Sequence, residues 1–194
     1  MIHYLHKMLY EAPVRDDEGY YFVRTKTDEN KKCLIQLNNI MVQNSEESIS
    51  LRIAGKRHSK KIDPIDEENI KTAVEKSTEW FKKQISEETL KKLYVSSVDE
   101  NILSVDKIKA SKIFNADNEL IDFTELSEEK KCNTLVEFAG IWFAKKSFGP
   151  IWNIVQVKVL PEPKKELEPE FPTEPEYPEE YALNDEISED EEEE

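Results

Sequence analysis

Two long β-type runs close together in the chain, Leu135–Ala144 and Ile151–Leu160, constrain what it can fold into more than any other feature. β-branched and aromatic residues dominate both. The connector between them, Lys145, Lys146, Ser147, Phe148, Gly149 and Pro150, ends in Gly-Pro, so the stretch predicts a hairpin of two long strands. Strict alternation puts Ile151, Val155, Val157 and Val159 on one face of the second strand and Trp152, Ile154, Gln156 and Lys158 on the other. Trp142 and Trp152 both stand close to lysines. One reading makes them core rings, as aromatic residues in strands often are. The other makes the hairpin a surface that stacks flat rings while its lysines neutralise phosphate.

Charge divides the chain sharply. The whole carries a formal −15, but residues 161–194 hold 16 acids against Lys164 and Lys165, so that segment accounts for −14 and the body is close to neutral. The same segment has six of the nine prolines, no glycine and few apolar residues. It cannot bury enough surface to offset chain entropy, which predicts a disordered acidic tail over 161–194 behind a folded domain over 1–160. Cys33 and Cys132 lack metal-ligand spacing and read as reduced, partly buried thiols. With no signal peptide and no run of about 18 apolar residues in view, the expectation is a soluble intracellular protein with no membrane segment.

Taken in order, the residues up to Pro13 fit an edge strand or a short helix equally well. Gly19–Thr25, Cys33–Gln43 and Ser48–Ala54 read as strands, with a bulge or bend at Asn38-Asn39. Asp63 and Pro64 then read as the N-cap and first residue of a helix, with Asp66, Glu67 and Glu68 in its first turn, and Ser86 opens a second, shorter one. Together they form a helical insertion near 63–96, in which Trp80 and Phe81 lie on or beside the apolar stripe and read as core. Ile102–Lys109, Ser111–Asn115 and Leu120–Phe123 return to strand, with a turn over Ala116–Glu119 and a charged connector over Ser127–Lys131.

Between the third strand and the helix lies the densest basic cluster. Arg52, Lys56, Arg57, Lys60 and Lys61 fall within ten residues with no acid among them. Such a run is either a solvated loop or a phosphate-contacting one. No GxGxxG, P-loop, HExxH or CxxC motif is present, and the carboxylates form no acid–base constellation, so neither catalysis, nor a metal, nor a cofactor is expected.

The string from Leu135 to Val157, with Gly140-Ile141-Trp142-Phe143, Phe148-Gly149, Trp152 and Gln156, resembles the signature of the single-stranded DNA-binding proteins of nucleocytoplasmic large DNA viruses, relatives of the OB-fold single-strand-binding proteins of short-tailed bacteriophages. The likeness spans roughly residues 19–194, though only this string is specific. It implies a mainly β OB-fold, a small Greek-key barrel with a helical insertion. It also implies sequence-independent binding of single-stranded DNA in viral replication, recombination or repair, in the cytoplasm or nucleus of a host. The acidic tail would compete with DNA and recruit replication proteins, and a homodimer stays open. One departure is that the chain finishes in four glutamates, its last aromatic being Tyr181, so docking through a terminal aromatic does not carry over. The expected contacts are Arg52, Lys56, Arg57, Lys60, Lys61, Trp142, Lys145, Lys146, Phe148, Trp152 and Lys158, with Phe148 and Trp152 stacking bases and Trp142 as partly buried support. The rival readings are an acidic-tailed adapter resembling a histone chaperone, and an RNA-binding OB domain.

Overall fold

The two long runs form the central hairpin of the structure, a computed structural model that describes residues 7–17, 19–44, 48–53, 55–126 and 129–161. β9 (Lys130–Phe143) and β10 (Phe148–Val159) pair antiparallel along their whole length. The turn between them is tighter than expected. The Ala144 N–H donates to Ser147 O at 2.8 Å, so Phe148 already lies in the strand.

The second edge of β9 is shared. β4 (Cys33–Asn44) pairs with its first part and β3 (Tyr21–Thr27) with its last residues. β10 runs parallel to β7 (Ile102–Phe114). β7 pairs with β5 (Ile49–Arg52), and β5 pairs back with β4. The pairings thus close a circuit β4–β9–β10–β7–β5–β4 of five strands. Its inward side chains, among them Ile35, Leu37, Leu51, Leu103, Val136, Phe138, Trp152 and Ile154, form the core. Shorter strands extend the sheet: β1 (Met8–Tyr10) and β2 (Val14–Arg15) on β3, β6 (Val98–Asp99) and β8 (Leu120–Ile121) on β7.

Bulges decide which residues point inward. In β4 the register shifts between Leu37 and Ile40, with Asn39 at φ 54°, so Leu37 and Ile40 both face the core; this is the bulge expected at Asn38-Asn39. In β10 the shift falls between Ile154 and Gln156. It corrects the strict alternation drawn from sequence: Val157, not Gln156 or Lys158, continues the buried face of Trp152 and Ile154. A third shift, opposite Ile151 and Trp152, leaves Ala139 as the extra residue of β9. At the next position a Cβ on Gly140 would sit 1.9 Å from Val23 O, so only glycine lets β3 approach where β4 leaves off.

Three helices lie between β5 and β6: α1 (Lys56–Glu75), α2 (Ser77–Phe81) and α3 (Glu87–Leu93). α1 begins seven residues before the expected Asp63 cap, and Pro64 lies inside it. The cause is packing. His58, Ile62, Ile65, Asn69, Thr72 and Ala73 form one buried stripe at three- and four-residue spacing, which extends the helix upstream of its acids. Ser86 caps α3 as expected, accepting from Thr89 N–H. Trp80 is buried and Phe81 packs against the core, also as expected.

Behind the hairpin runs a buried polar chain. Tyr10 donates its hydroxyl to Asn69 Oδ1 at 2.7 Å, Asn69 Nδ2 donates to Tyr94 Oη at 2.9 Å, and Tyr94 donates to Asp66 Oδ1 at 2.7 Å. From the other side Trp152 Nε1 donates to Ser97 Oγ at 2.9 Å, and Ser97 donates its hydroxyl to Asp66 Oδ1 and its N–H to Oδ2. Every donor runs toward Asp66. Burial pushes that carboxyl above the usual aspartate value, and the bonds from Ser97 and Tyr94 pull it part of the way back. The chain ties β1, α1 and β10 together.

Cys33 and Cys132 are free and buried, and burial pushes the Cys132 thiol up to about 12. Among the described residues no helix is long and apolar enough to cross a membrane, and no group of three His, Cys, Asp or Glu could hold a metal. The chain divides at Glu162/Pro163. The acidic tail expected from sequence lies, but for Pro161, outside the described residues.

Candidate nucleic-acid interface

Directly paired residues in a sheet project to the same side, so the register spells out what the outward face of β9 and β10 displays. At the turn end, Val14, Phe22, Trp142 and Gly149 form one row across β2, β3, β9 and β10, with Val95 at its edge. The indole of Trp142 lies against Gly149, where a Cβ would sit 3.0 Å from its Cζ2. The Arg24 guanidinium stands over the Phe22 ring, 5.4 Å from its centroid. Further along come Leu34, Glu137, Asn153 and Asp106, then Gln36, Leu135, Gln156 and Lys112, then Asn133, Lys158 and Phe114. From Gly149 to Lys158 the strip is about 30 Å long at the usual rise per strand residue.

Its electrostatics follow from its pairings. Lys32 reaches Glu137 at 3.1 Å, which offsets one of the two acids. Partial burial pushes the other, Asp106, above its usual range. Lys109, Lys112, Lys145 and Lys146 are exposed with no ion pair among the described residues, so they are free to meet an anion. Beside the tip, Arg15 stands 5.7 Å from the centroid of the Tyr21 ring, and Tyr20 and Tyr21 are exposed.

The expected contacts separate into three groups. Trp142 is half-buried on the strip, and Lys145 and Lys146 occupy the exposed turn. Lys158 also lies on the strip, but its Nζ donates to Ala116 O at 3.1 Å and to Asn118 Oδ1, which clamps the β7–β8 turn. The second group, Lys56, Arg57, Lys60 and Lys61, is not a loop: these residues fill the first two turns of α1. That helix end abuts β4, for His58 Nε2 donates to Asn38 O at 3.0 Å and Lys61 Nζ to Gln36 O at 2.5 Å. Arg52, counted with them, is held by Glu129 at 2.7 Å, so the cluster is not free of acids in three dimensions.

The third group is corrected outright. Phe148 is 1% exposed and boxed in by Phe81, Tyr94 and Phe143, with ring centroids 5.4, 5.2 and 6.1 Å away. Trp152 is 3% exposed, packs on Phe138 and spends its indole N–H on Ser97. Neither ring can receive a base. Sequence reasoning instead missed Phe22 and Arg24. Both lie in the predicted first strand, two residues apart and hence on one face, and that alternation was the available signal.

The chain belongs to a family of unknown function, DUF5871, whose model matches residues 38–185. No curated protein matches it. Among solved structures it is similar to the single-stranded DNA-binding protein from bacteriophage Enc34, at 14% identity and a TM-score of 0.47, over 86% of this chain and 97% of that one. The C-terminal truncation of that protein matches at 14% identity and a TM-score of 0.45, over 80% and 96%. The same protein in complex with ssDNA matches at 14% identity and a TM-score of 0.44, over 79% and 96%.

Proposed function

We propose that this protein binds single-stranded DNA without sequence preference along most of its site, and that it is not an enzyme. The observation that carries this reading is the Phe22–Trp142 row with Arg24 above it, at the end of a strip whose neighbouring turn offers Lys145 and Lys146. Rings that bases can stack on, flanked by unpaired cations, suit a strand with flat bases and a charged backbone. The closed five-strand circuit with its parallel β7–β10 pair is read as an OB-type Greek-key barrel. In that fold the turn between the last two barrel strands contacts oligonucleotides, and here it carries Lys145 and Lys146. The basic start of α1 continues the positive surface next to β4. The acidic segment 161–194, tethered to the same molecule, competes with weak ligands and recruits partners. Viral replication, recombination or repair is the setting in which such a protein acts.

Tryptophan fluorescence tests the reading directly. Trp80 and Trp152 are 8% and 3% exposed, so Trp142 is the one tryptophan that a ligand can reach. Oligothymidylate should quench the emission, less so as salt rises, and Trp142→Phe should remove most of the quenching. An oligouridylate arm separates DNA from RNA. If neither polymer binds at low salt, the reading fails.

A further inference from the structure

The far end of the strip is concave. Gln36, Leu135 and Gln156 from one row and Asn133, Lys158 and Phe114 from the next enclose a depression of about 280 Å³. That is slightly below the roughly 300–1,000 Å³ of whole-ligand pockets, enough for one flat ring system. Three side-chain amides converge on it, and two are fixed in orientation. Asn133 Oδ1 accepts from Asn39 N–H at 2.9 Å, which leaves its amide N–H₂ as a donor with no partner among the described residues. Gln36 Nε2 donates to Asn38 Oδ1 at 2.7 Å, which leaves Oε1 as an acceptor with no partner among the described residues. Gln156 is exposed with neither end of its amide engaged among the described residues. Stacking alone does not call for such an arrangement, since π-faces are common to every base. Amides instead pair with base edges, and glutamine or asparagine makes two bonds to adenine, one from its amino group and one to the adjacent ring nitrogen.

We infer that this depression is a base-reading subsite that selects adenine at one position of an otherwise sequence-tolerant strand. The inference rests on the strand-binding reading above. Leu135 and Phe114 supply the apolar wall, Gln156 supplies the paired donor and acceptor, and Gln36 and Asn133 fix the edge that the base presents.

The test uses the full chain and an oligothymidylate of the length of the measured site, with each thymidine replaced in turn by dA, dC or dG. At one position dA should raise affinity roughly ten-fold or more over dT. In Gln156→Ala, an exposed change that removes no charge, the advantage of dA at that position should vanish while the dependence on salt is retained. No positional preference, a preference for another base, or a dA preference that survives Gln156→Ala overturns the inference. Loss of all strand binding in the unaltered protein would instead remove the reading on which it rests.

Discussion

Reversing charge at the start of α1, with Lys56→Glu and Arg57→Glu together, should stabilise the protein and weaken its binding of DNA. The helix begins at Gly55 with no side-chain cap and no acid in its first turn, and it carries Lys56, Arg57, Lys60 and Lys61 where the macrodipole is positive. Each misplaced cation is worth about 0.3–1 kcal/mol at an exposed site. Reversal also turns an unfavourable charge into a favourable one. Allowing for solvent screening, the pair should gain about 1–2 kcal/mol, which raises Tm by roughly 2–8 °C in a chain of this size. Binding should move the other way. Each phosphate that the protein no longer neutralises flattens the plot of log affinity against log salt by about 0.7 for a single strand, so a double reversal that frees two phosphates flattens it by roughly 1.4. Thermal melting and a salt series of oligothymidylate titrations read the two effects separately. A lower Tm would refute the dipole argument. A higher Tm with an unchanged slope would detach the helix start from the binding surface.

The Trp152→Ala change should cost about 3–5 kcal/mol of folding stability, and Trp152→Phe, which keeps a ring but deprives Ser97 Oγ of its donor, about 1–2 kcal/mol; urea titration of both, with oligothymidylate affinity per folded molecule unchanged, is the expected result. Gly140→Ala should cost about 3 kcal/mol or more, because the new Cβ meets the Val23 carbonyl. It should also perturb Trp142 emission as β3 shifts. Asp66 should leave a signature in pH. Its folded-state value lies above the unfolded one, so it contributes stability that is complete below the ordinary aspartate pKa and lost as pH rises through the raised value. The stability of the native protein minus that of Asp66→Asn should therefore fall as pH rises above the ordinary aspartate value of about 4. A difference that rises over that window would show the carboxylate to be favoured, not strained, by its surroundings.

Much of the framework was legible because it rests on local chemistry. The asparagine pair at 38–39, the turn at Ala116–Glu119 closed by the Asn115 side chain, and the Ser86 cap each follow from what those side chains do to their own backbone. What escaped depends on partners distant in sequence. The acids at 63–68 marked a helix start by the dipole rule, but the buried stripe from His58 onward outweighed it. Lysines beside Phe148 and Trp152 suggested an exposed face. A tight turn instead sets Phe148 in the strand against Phe81 and Tyr94, and the Ile154/Gln156 bulge parts Trp152 from Gln156 and Lys158, leaving it inward on Phe138 with its N–H on Ser97. Phe22 and Trp142 form a site only once β3 is placed beside β9, a pairing that Gly140 permits and alternation alone does not announce.

The closure of the strand circuit has a consequence in time. One edge of β4 meets β5 early, but its other edge is covered only by β9: Lys32 and Glu137, which meet across that seam, are 105 residues apart in the chain. During synthesis the apolar edge of β4 and the core residues of β5 and β7 are all made before the hairpin that covers them exists. Contacts of such long sequence separation slow folding, and an uncovered strand edge is open to pairing with other chains in the interval. A nascent chain halted before β9 should stay sensitive to protease and depend on chaperones, and protection should arrive in one step once residue 159 has cleared the ribosome.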